Sequence, residues 1–316
     1  MTYPRSHLVD PKGSGVYHVY SRCVRRAWLC GVDESTGQDF THRRAWIEQR
    51  VLELSSIFSI SVFAYAVMSN HYHLVLKVDP NGSASWTDSD IADKWLKVCP
   101  GRLPKDKRND VLSIRKAALL SDPARLMELR ARLSSLSWFM RFINEPLARL
   151  ANKEDHCTGR FWEGRFRSQV LLDEASALAC MVYVDLNPVR AGIADDPQES
   201  EFTSLRHRLD HQSLDKPVVA LNGESPSMPF DPIELTDYVS LVRWTADSQS
   251  DQRQGTSPDV HPCLTRSHTN TDSWFRDHLP KPNHWQRAIG SIGSLRTHAA
   301  EIGQCWVRSR SKVCYR

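Results

Sequence analysis

Two histidines one residue apart, His71 and His73, sit in the run HYHLVLKV, which reads as a β-strand. Side chains two apart on a strand point the same way, so both imidazoles face one side while Tyr72 and Leu74 face the other. Two imidazoles on rigid backbone supply two-thirds of a minimal metal site. By spacing alone, a chance pair on a surface strand looks the same. Tyr183 and Asn187, in MVYVDLNPVRAG, form a second pair. Their separation puts both on one helix face, with the tyrosine as a possible nucleophile and the asparagine oxygen as a possible third ligand. Asn187-Pro188 is equally a good helix stop and restart, and Tyr183 could be a core aromatic. The third feature is TGRFWEGRFRSQ at 158–169, where Arg160, Arg165 and Arg167 interleave with Phe161, Trp162 and Phe166. Arginines meet phosphates bidentately and aromatics stack on unpaired bases. An amphipathic strand with its aromatics in the core would read identically.

These residues need elements to hold them. VYHVYSRCV (16–24) is β-branched and aromatic, a strand. Thr41 can cap a helix bearing Trp46, Ile47, Val51, Leu54 and Phe58 at helical spacing. ISVFAYAVM (60–68) reads as a buried strand, and the break Ser69-Asn70 joins it to the histidine strand as a hairpin. After a long polar and basic stretch, Ser134 to Ala151 is a helix with Leu136, Phe139, Met140, Ile143, Leu147 and Leu150 on one face. Phe166 to Leu172 is a short strand, and Asp173 to Leu186 a helix with Asp173 as its cap. The order predicts an α+β protein: an antiparallel, ferredoxin-like sheet with helices on one face.

Composition sets the frame. The 316 residues allow one large domain or two ordinary ones. With 41% hydrophobic and 25% charged residues the chain is no disordered polymer. No apolar run approaches the ~20 residues of a membrane span, and the N-terminus lacks a signal-peptide core. The eight cysteines include no CxxC pair and read as reduced thiols, so a cytoplasmic location is expected. The net charge is only +4, but from Lys94 to Arg132 eleven Lys/Arg stand against four Asp/Glu. The stretches 210–232 and 247–272 are polar and read as linkers.

Taken together, HYH after a hairpin, GRFWEGRFRSQ, YVDLNPVRAGI and EFTSLRHRL (201–209) resemble the REP-associated tyrosine transposases, within the single-tyrosine HUH transposases. VYHVYSRCVRRAWLCG also resembles the family's first strand. The resemblance covers residues 12–210 and includes a basic helical insert at about 80–132; residues 211–316 would be a mostly helical extension of a longer family form. It implies metal-binding histidines at His71 and His73, the polar ligand one turn after the tyrosine at Asn187, and a nucleophilic Tyr183. It also implies Mg²⁺ or Mn²⁺ as cofactor, and single-stranded or hairpin DNA as partner. The activity implied is cleavage and rejoining of DNA at palindromic repeat hairpins through a 5′-phosphotyrosine. Lys94, Lys97, Lys105, Lys107, Arg108, Arg115 and Lys116 of the insert, with Arg160, Arg165 and Arg167, are the expected DNA contacts. The family implies a bacterial, nucleoid-associated protein, and since its members can be monomeric a monomer is expected rather than a dimer. Two alternatives remain at this point: a hairpin-binding protein kept by its host without transposition, and an HUH nuclease of replication or conjugation.

Overall fold

The computed structural model describes residues 14–24, 29–32, 37–102, 107–221, 228–254, 260–267, 269–281, 285–304, 306–307 and 313–314. The first strand, β1 (Gly15–Arg22), leads to α1 (His42–Ser55), and β2 (Ile60–Val67) and β3 (His71–Val78) follow as the hairpin. Thr41 stands at the start of α1, but its side chain makes no cap bond. Asp39 accepts the Thr41 N–H instead (2.8 Å). The hairpin turn is anchored from outside. Cys23 N–H donates to Asn70 O, and the N–H groups of Leu29 and Cys30 donate to Ser69 O, at 2.9–3.0 Å. His71 therefore starts β3 from a fixed point.

The basic stretch folds as three helices, α2 (Asp88–Val98), α3 (Arg108–Leu120) and α4 (Pro123–Leu133). Thr87 and Asp90 form a capping box on α2, and Asp122 with Pro123 opens α4. Then come α5 (Leu136–Glu154), β4 (Arg167–Leu171), α6 (Glu174–Asp185) and α7 (Asn187–Arg190). Asp173 caps α6 by accepting from Ser176 N–H (2.9 Å). The chain continues through α8 (Ser204–His211), α9 (Leu235–Gln254), α10 (Pro262–Arg266) and α11 (Thr271–Ser273), which runs into a π-turn at Trp274–His278. A two-residue strand β5 (Ala288–Ile289) and α12 (Ile292–Glu301) follow. The stretch 247–272, read as a linker, thus carries the end of α9 as well as α10.

The main sheet has the order β2-β3-β1-β4-β5. The first four strands pair antiparallel, whereas β5 joins β4 in parallel, so the sheet is mixed rather than purely antiparallel. Helices cover both faces, which corrects the expected one-sided arrangement. Tyr72, Leu74 and Leu76 of β3 share a core with Ile47, Val51 and Leu54 of α1 and Phe139 and Ile143 of α5. Val75 of β3 packs instead with α6 and with Tyr238, Leu241 and Val242 of α9. The reason is legible in α6: every residue from Ala175 to Asp185 is buried, and a helix apolar all round needs packing on all sides. Asp185 lies wholly inside and is met by three donors: Ser204 O–H (2.6 Å), Leu205 N–H (2.9 Å) and Tyr238 O–H (2.6 Å). They tie α8 and α9 to the end of α6, the turn that carries Tyr183. No described helix is long and apolar enough to cross a membrane.

Candidate active site

The alternation of β1 places His18, Tyr20 and Arg22 on the sheet face opposite Tyr17 and Val19. Across the strands Tyr20 pairs with His73 and Arg22 with His71; on the other side His18 pairs with Gln169 and Tyr20 with Arg167. Residues directly opposed in a sheet share its face, so these side chains form one patch. The end of α6 lies over that patch. The result is a cleft of about 370 Å³ lined by His71, His73, Tyr183 and Asn187, together with His18, Gln169, Tyr20, Arg22, Arg167 and Arg190. The four residues singled out in the sequence from two distant segments thus meet in one place.

The hydrogen bonds fix the imidazole tautomers. Gln169 Oε1 only accepts, so His18 Nδ1–H donates to it (2.7 Å). Burial lowers the His18 pKa to about 4, so the ring is neutral at pH 7 and its Nε2 is bare. His73 Nδ1–H donates to that nitrogen (2.9 Å). His73 therefore keeps a bare Nε2, and burial holds the ring neutral as well. His71 donates its Nδ1–H to Asn70 Oδ1; burial, with Arg22 nearby, lowers its pKa to about 4 and leaves its Nε2 bare too. Asn187 spends its amide N–H groups on Tyr183 O (2.9 Å) and Val184 O (3.4 Å), and its Oδ1 takes no hydrogen bond among the described residues. Two neutral imidazole nitrogens and one amide oxygen suit a divalent cation that takes both N and O donors. No group of three or more His, Cys, Asp or Glu capable of holding an ion occurs among the described residues, so an ion here would depend on that amide.

Tyr183 is 4% exposed, and its ring stands edge-on to His18 (5.8 Å) and His73 (5.9 Å). The buried tyrosines Tyr72 and Tyr238 spend their hydroxyls on Asn144 and Asp185, as buried phenols normally do. The Tyr183 hydroxyl has no hydrogen-bond partner among the described residues. Burial pushes its pKa up to about 12, and the Arg190 guanidinium, 4.7 Å over the ring, works against that rise. Among the described residues, four cations line the cleft, Arg22, Arg167, Arg190 and Lys281, against the one carboxylate Glu163. An anion is the charge this cleft accepts.

His18 reports on this burial through stability. The unfolded chain binds a proton at His18 near pH 6.5, but the folded one only near pH 4. Between those values the unfolded state holds the extra proton, so stability falls as pH falls. In EDTA, urea unfolding at pH 5 should give about 2 kcal/mol less than at pH 7.5 from this group alone. His18→Gln should show a correspondingly smaller loss, and equal losses in the two proteins would sink the assignment.

The expected DNA contacts divide. Arg167 lines the cleft, and its guanidinium lies 5.7 Å from the Tyr20 ring centre. Arg165 lines a separate groove, and Arg160 is exposed outside both. Phe161 and Trp162 are core residues rather than exposed stacking platforms, at 2% and 9% exposure. None of the described insert cations lines the cleft. Lys94 donates to Ser56 O and covers Trp86, Arg115 donates to the carbonyls of Pro100 and Arg102, and Lys116 pairs with Asp93. Lys97 and Arg108 line a hollow between α2 and α3 with Glu53 and Asp93, and Lys107 is exposed before α3. Lys105 lies outside the described residues. Asp88, Asp90 and Asp93 on α2 also dilute the positive charge that begins at Lys94.

Sequence reasoning missed His18, Gln169, Tyr20, Arg22 and Arg190. The signal for the first four was the period of two along β1 and β4, usable only once their partners were known. Lys281 and Trp285 were also missed. They come from the C-terminal part of the chain, and the Trp285 ring lies 5.4 Å from His18 and 5.1 Å from Tyr20. Nothing local in the sequence points to them.

The chain matches no protein-family model, and no curated protein is similar to it in sequence. Among solved structures it is similar to one of a REP-associated tyrosine transposase bound to a REP hairpin, at 13% identity and a TM-score of 0.40. That likeness covers 74% of this chain and 98% of the other. At this similarity only the cleft itself speaks to chemistry.

Proposed function

We propose that the protein is a metal-dependent tyrosine transposase, a nuclease that cleaves and rejoins single-stranded DNA beside repeat hairpins. One observation carries the reading: Tyr183, His71, His73 and Asn187 converge in a cationic cleft, each with a reactive atom left unspent. The sheet order β2-β3-β1-β4, with α1 and α5 on one face, supports a ferredoxin-like core of the HUH kind.

The chain's own residues divide the work. Arg22, Arg167 and Lys281 attract and orient a DNA phosphate. His71 Nε2, His73 Nε2 and Asn187 Oδ1 would hold Mg²⁺ or Mn²⁺. When bound, the cation supplies Lewis-acid charge that draws electron density from the scissile phosphate. Tyr183 Oη attacks the phosphorus and gives up its proton to solvent, while the bond from phosphorus to the 3′ oxygen breaks and that oxygen takes up a proton from solvent. The products are a 5′-phosphotyrosine and a free 3′-hydroxyl. A phenol with a pKa near 12 is not ionised at neutral pH, so its proton leaves as the new bond forms. Arg190 beside the ring offsets the negative charge that develops there. The phosphotyrosine keeps the diester energy, so attack by another 3′-hydroxyl rejoins a strand without ATP.

The test is a covalent adduct. Incubated with a labelled DNA hairpin carrying single-stranded flanks and with Mn²⁺ or Mg²⁺, the protein should form a species stable to denaturing electrophoresis. EDTA should remove at least 99% of it. An adduct that EDTA leaves untouched would remove the metal from the reading.

A further inference from the structure

Residues 285–291, from the far end of the chain, run along β4 as a strap. Val170 N–H donates to Arg287 O and Leu172 N–H to Ile289 O, both at 2.9 Å, and Ala288 and Ile289 are buried. The strap is pinned where it ends. Asp173 accepts from Ser176 N–H through one carboxylate oxygen, and from Ser291 N–H (2.6 Å) and Ser294 O–H (3.1 Å) through the other. One carboxylate therefore opens both α12 and α6, the helix that carries Tyr183. Gly290 fills this junction. A Cβ there would come 3.0 Å from Leu172 Cβ and 3.2 Å from Asp173 Oδ2, closer than packed atoms tolerate.

The strap also reaches the histidines. The Trp285 ring lies 5.4 Å from that of His18, which is only 1% exposed. Gln286 O stands 3.4 Å from Gln169 Nε2. A carbonyl only accepts, so the Gln169 NH₂ must face the strap and its Oε1 must face His18. Turned over, the amide would offer an N–H to His18 Nδ1. That ring would then carry its proton on Nε2, against His73 Nδ1, and His73 would have to move its own proton to Nε2. A protonated Nε2 has no lone pair for a cation. We propose that the strap is a positioning part of the cation site: the Gln286 carbonyl holds the Gln169 amide, and through His18 the His73 tautomer, so that docking of the strap and binding of Mn²⁺ or Mg²⁺ favour each other. The inference rests on the cation-site reading and adds the distant segment that sets it.

Mn²⁺ binding is followed without DNA, by loss of the free-ion paramagnetic resonance signal. Gly290→Val, which forces the strap away from Leu172 and Asp173, should weaken Mn²⁺ binding about tenfold, the low end for loss of a partner that orients a ligating histidine. In a Gln169→Ala background the same substitution should change affinity by less than about twofold, because the amide it acts through is gone. Affinity in Gly290→Val within about twofold of wild type, or an equal loss in both backgrounds, overturns the proposal. The wild-type protein gives a second readout, which decides alone if thermal unfolding shows that Gly290→Val does not fold. Coupling is reciprocal, so saturating Mn²⁺ should slow hydrogen exchange of the 285–291 amides about tenfold more than that of the α4 amides. Equal slowing of the two regions overturns the strap's role and leaves the cation site standing. Absence of Mn²⁺ binding to the wild-type protein overturns the cation site, and the strap's role with it.

Discussion

Tyr183→Phe should abolish the covalent adduct, by more than about 10³-fold, while hairpin binding stays within about twofold. Only the oxygen is removed. That oxygen has no hydrogen-bond partner among the described residues, so its loss orphans no buried donor, and stability should move by less than about 0.5 kcal/mol. The ring keeps its contacts with His18, His73 and Arg190. Loss of the adduct with unchanged melting and binding therefore isolates the nucleophile. Tyr20 is the competing tyrosine in the cleft. Its ring lies stacked on His73 at 5.6 Å, flanked by Trp285, Arg22 and Arg167, and it serves as a wall. If mass spectrometry of the Phe variant found nucleotide on Tyr20, the assignment of Tyr183 would fail.

The site was half legible in the sequence, and the division has a physical cause. His71 with His73, and Tyr183 with Asn187, are pairs within one element, where the periods of two and four act over a few residues. Each pair was ambiguous alone, and the resemblance of the surrounding motifs joined them. His18 and Gln169 are set by register, and register depends on which strands pair and where. The pairing His18↔Gln169 spans 151 residues and leaves no local trace. The same holds for β5, whose two residues, Ala288 and Ile289, are too few to make a pattern. Outside the basic insert, whose three helices were not separated in the sequence, the types of the main elements along the first two hundred residues followed from periodicity. What failed was the layer arrangement. The uniformly buried α6 signalled a covering on both sides, and the cover came from α9, beyond the segment read as a linker. The arginine–aromatic motif at 158–169 divided because side chains alternate: Phe161 and Trp162 went to the core, Arg165 to the groove and Arg167 to the cleft.

The second large effect concerns the histidines and separates holding an ion from holding a ligand in place. His73→Ala or His71→Ala should lower adduct formation by more than about 10³-fold at any Mn²⁺ concentration, because each removes a donor nitrogen. His18→Ala should act differently. His18 contributes no ligand of its own; Gln169 fixes its tautomer, and it fixes that of His73 in turn. Without it, His73 can rotate or place its proton on Nε2, which blocks the lone pair. Loss of such an outer partner typically costs 10–100-fold in metal affinity. Mn²⁺ titration of the adduct yield should therefore show the half-saturating concentration rising about 10–100-fold in His18→Ala, with the maximal yield largely recovered at high Mn²⁺. His73→Ala should not recover. Gln169→Ala should lie between wild type and His18→Ala, since His18 would still reach His73 but in either tautomer. If His18→Ala lowered the maximal yield as deeply as His73→Ala and excess Mn²⁺ did not restore it, His18 would itself be a ligand or a proton carrier, and the chain from Gln169 through His18 to His73 would need another role.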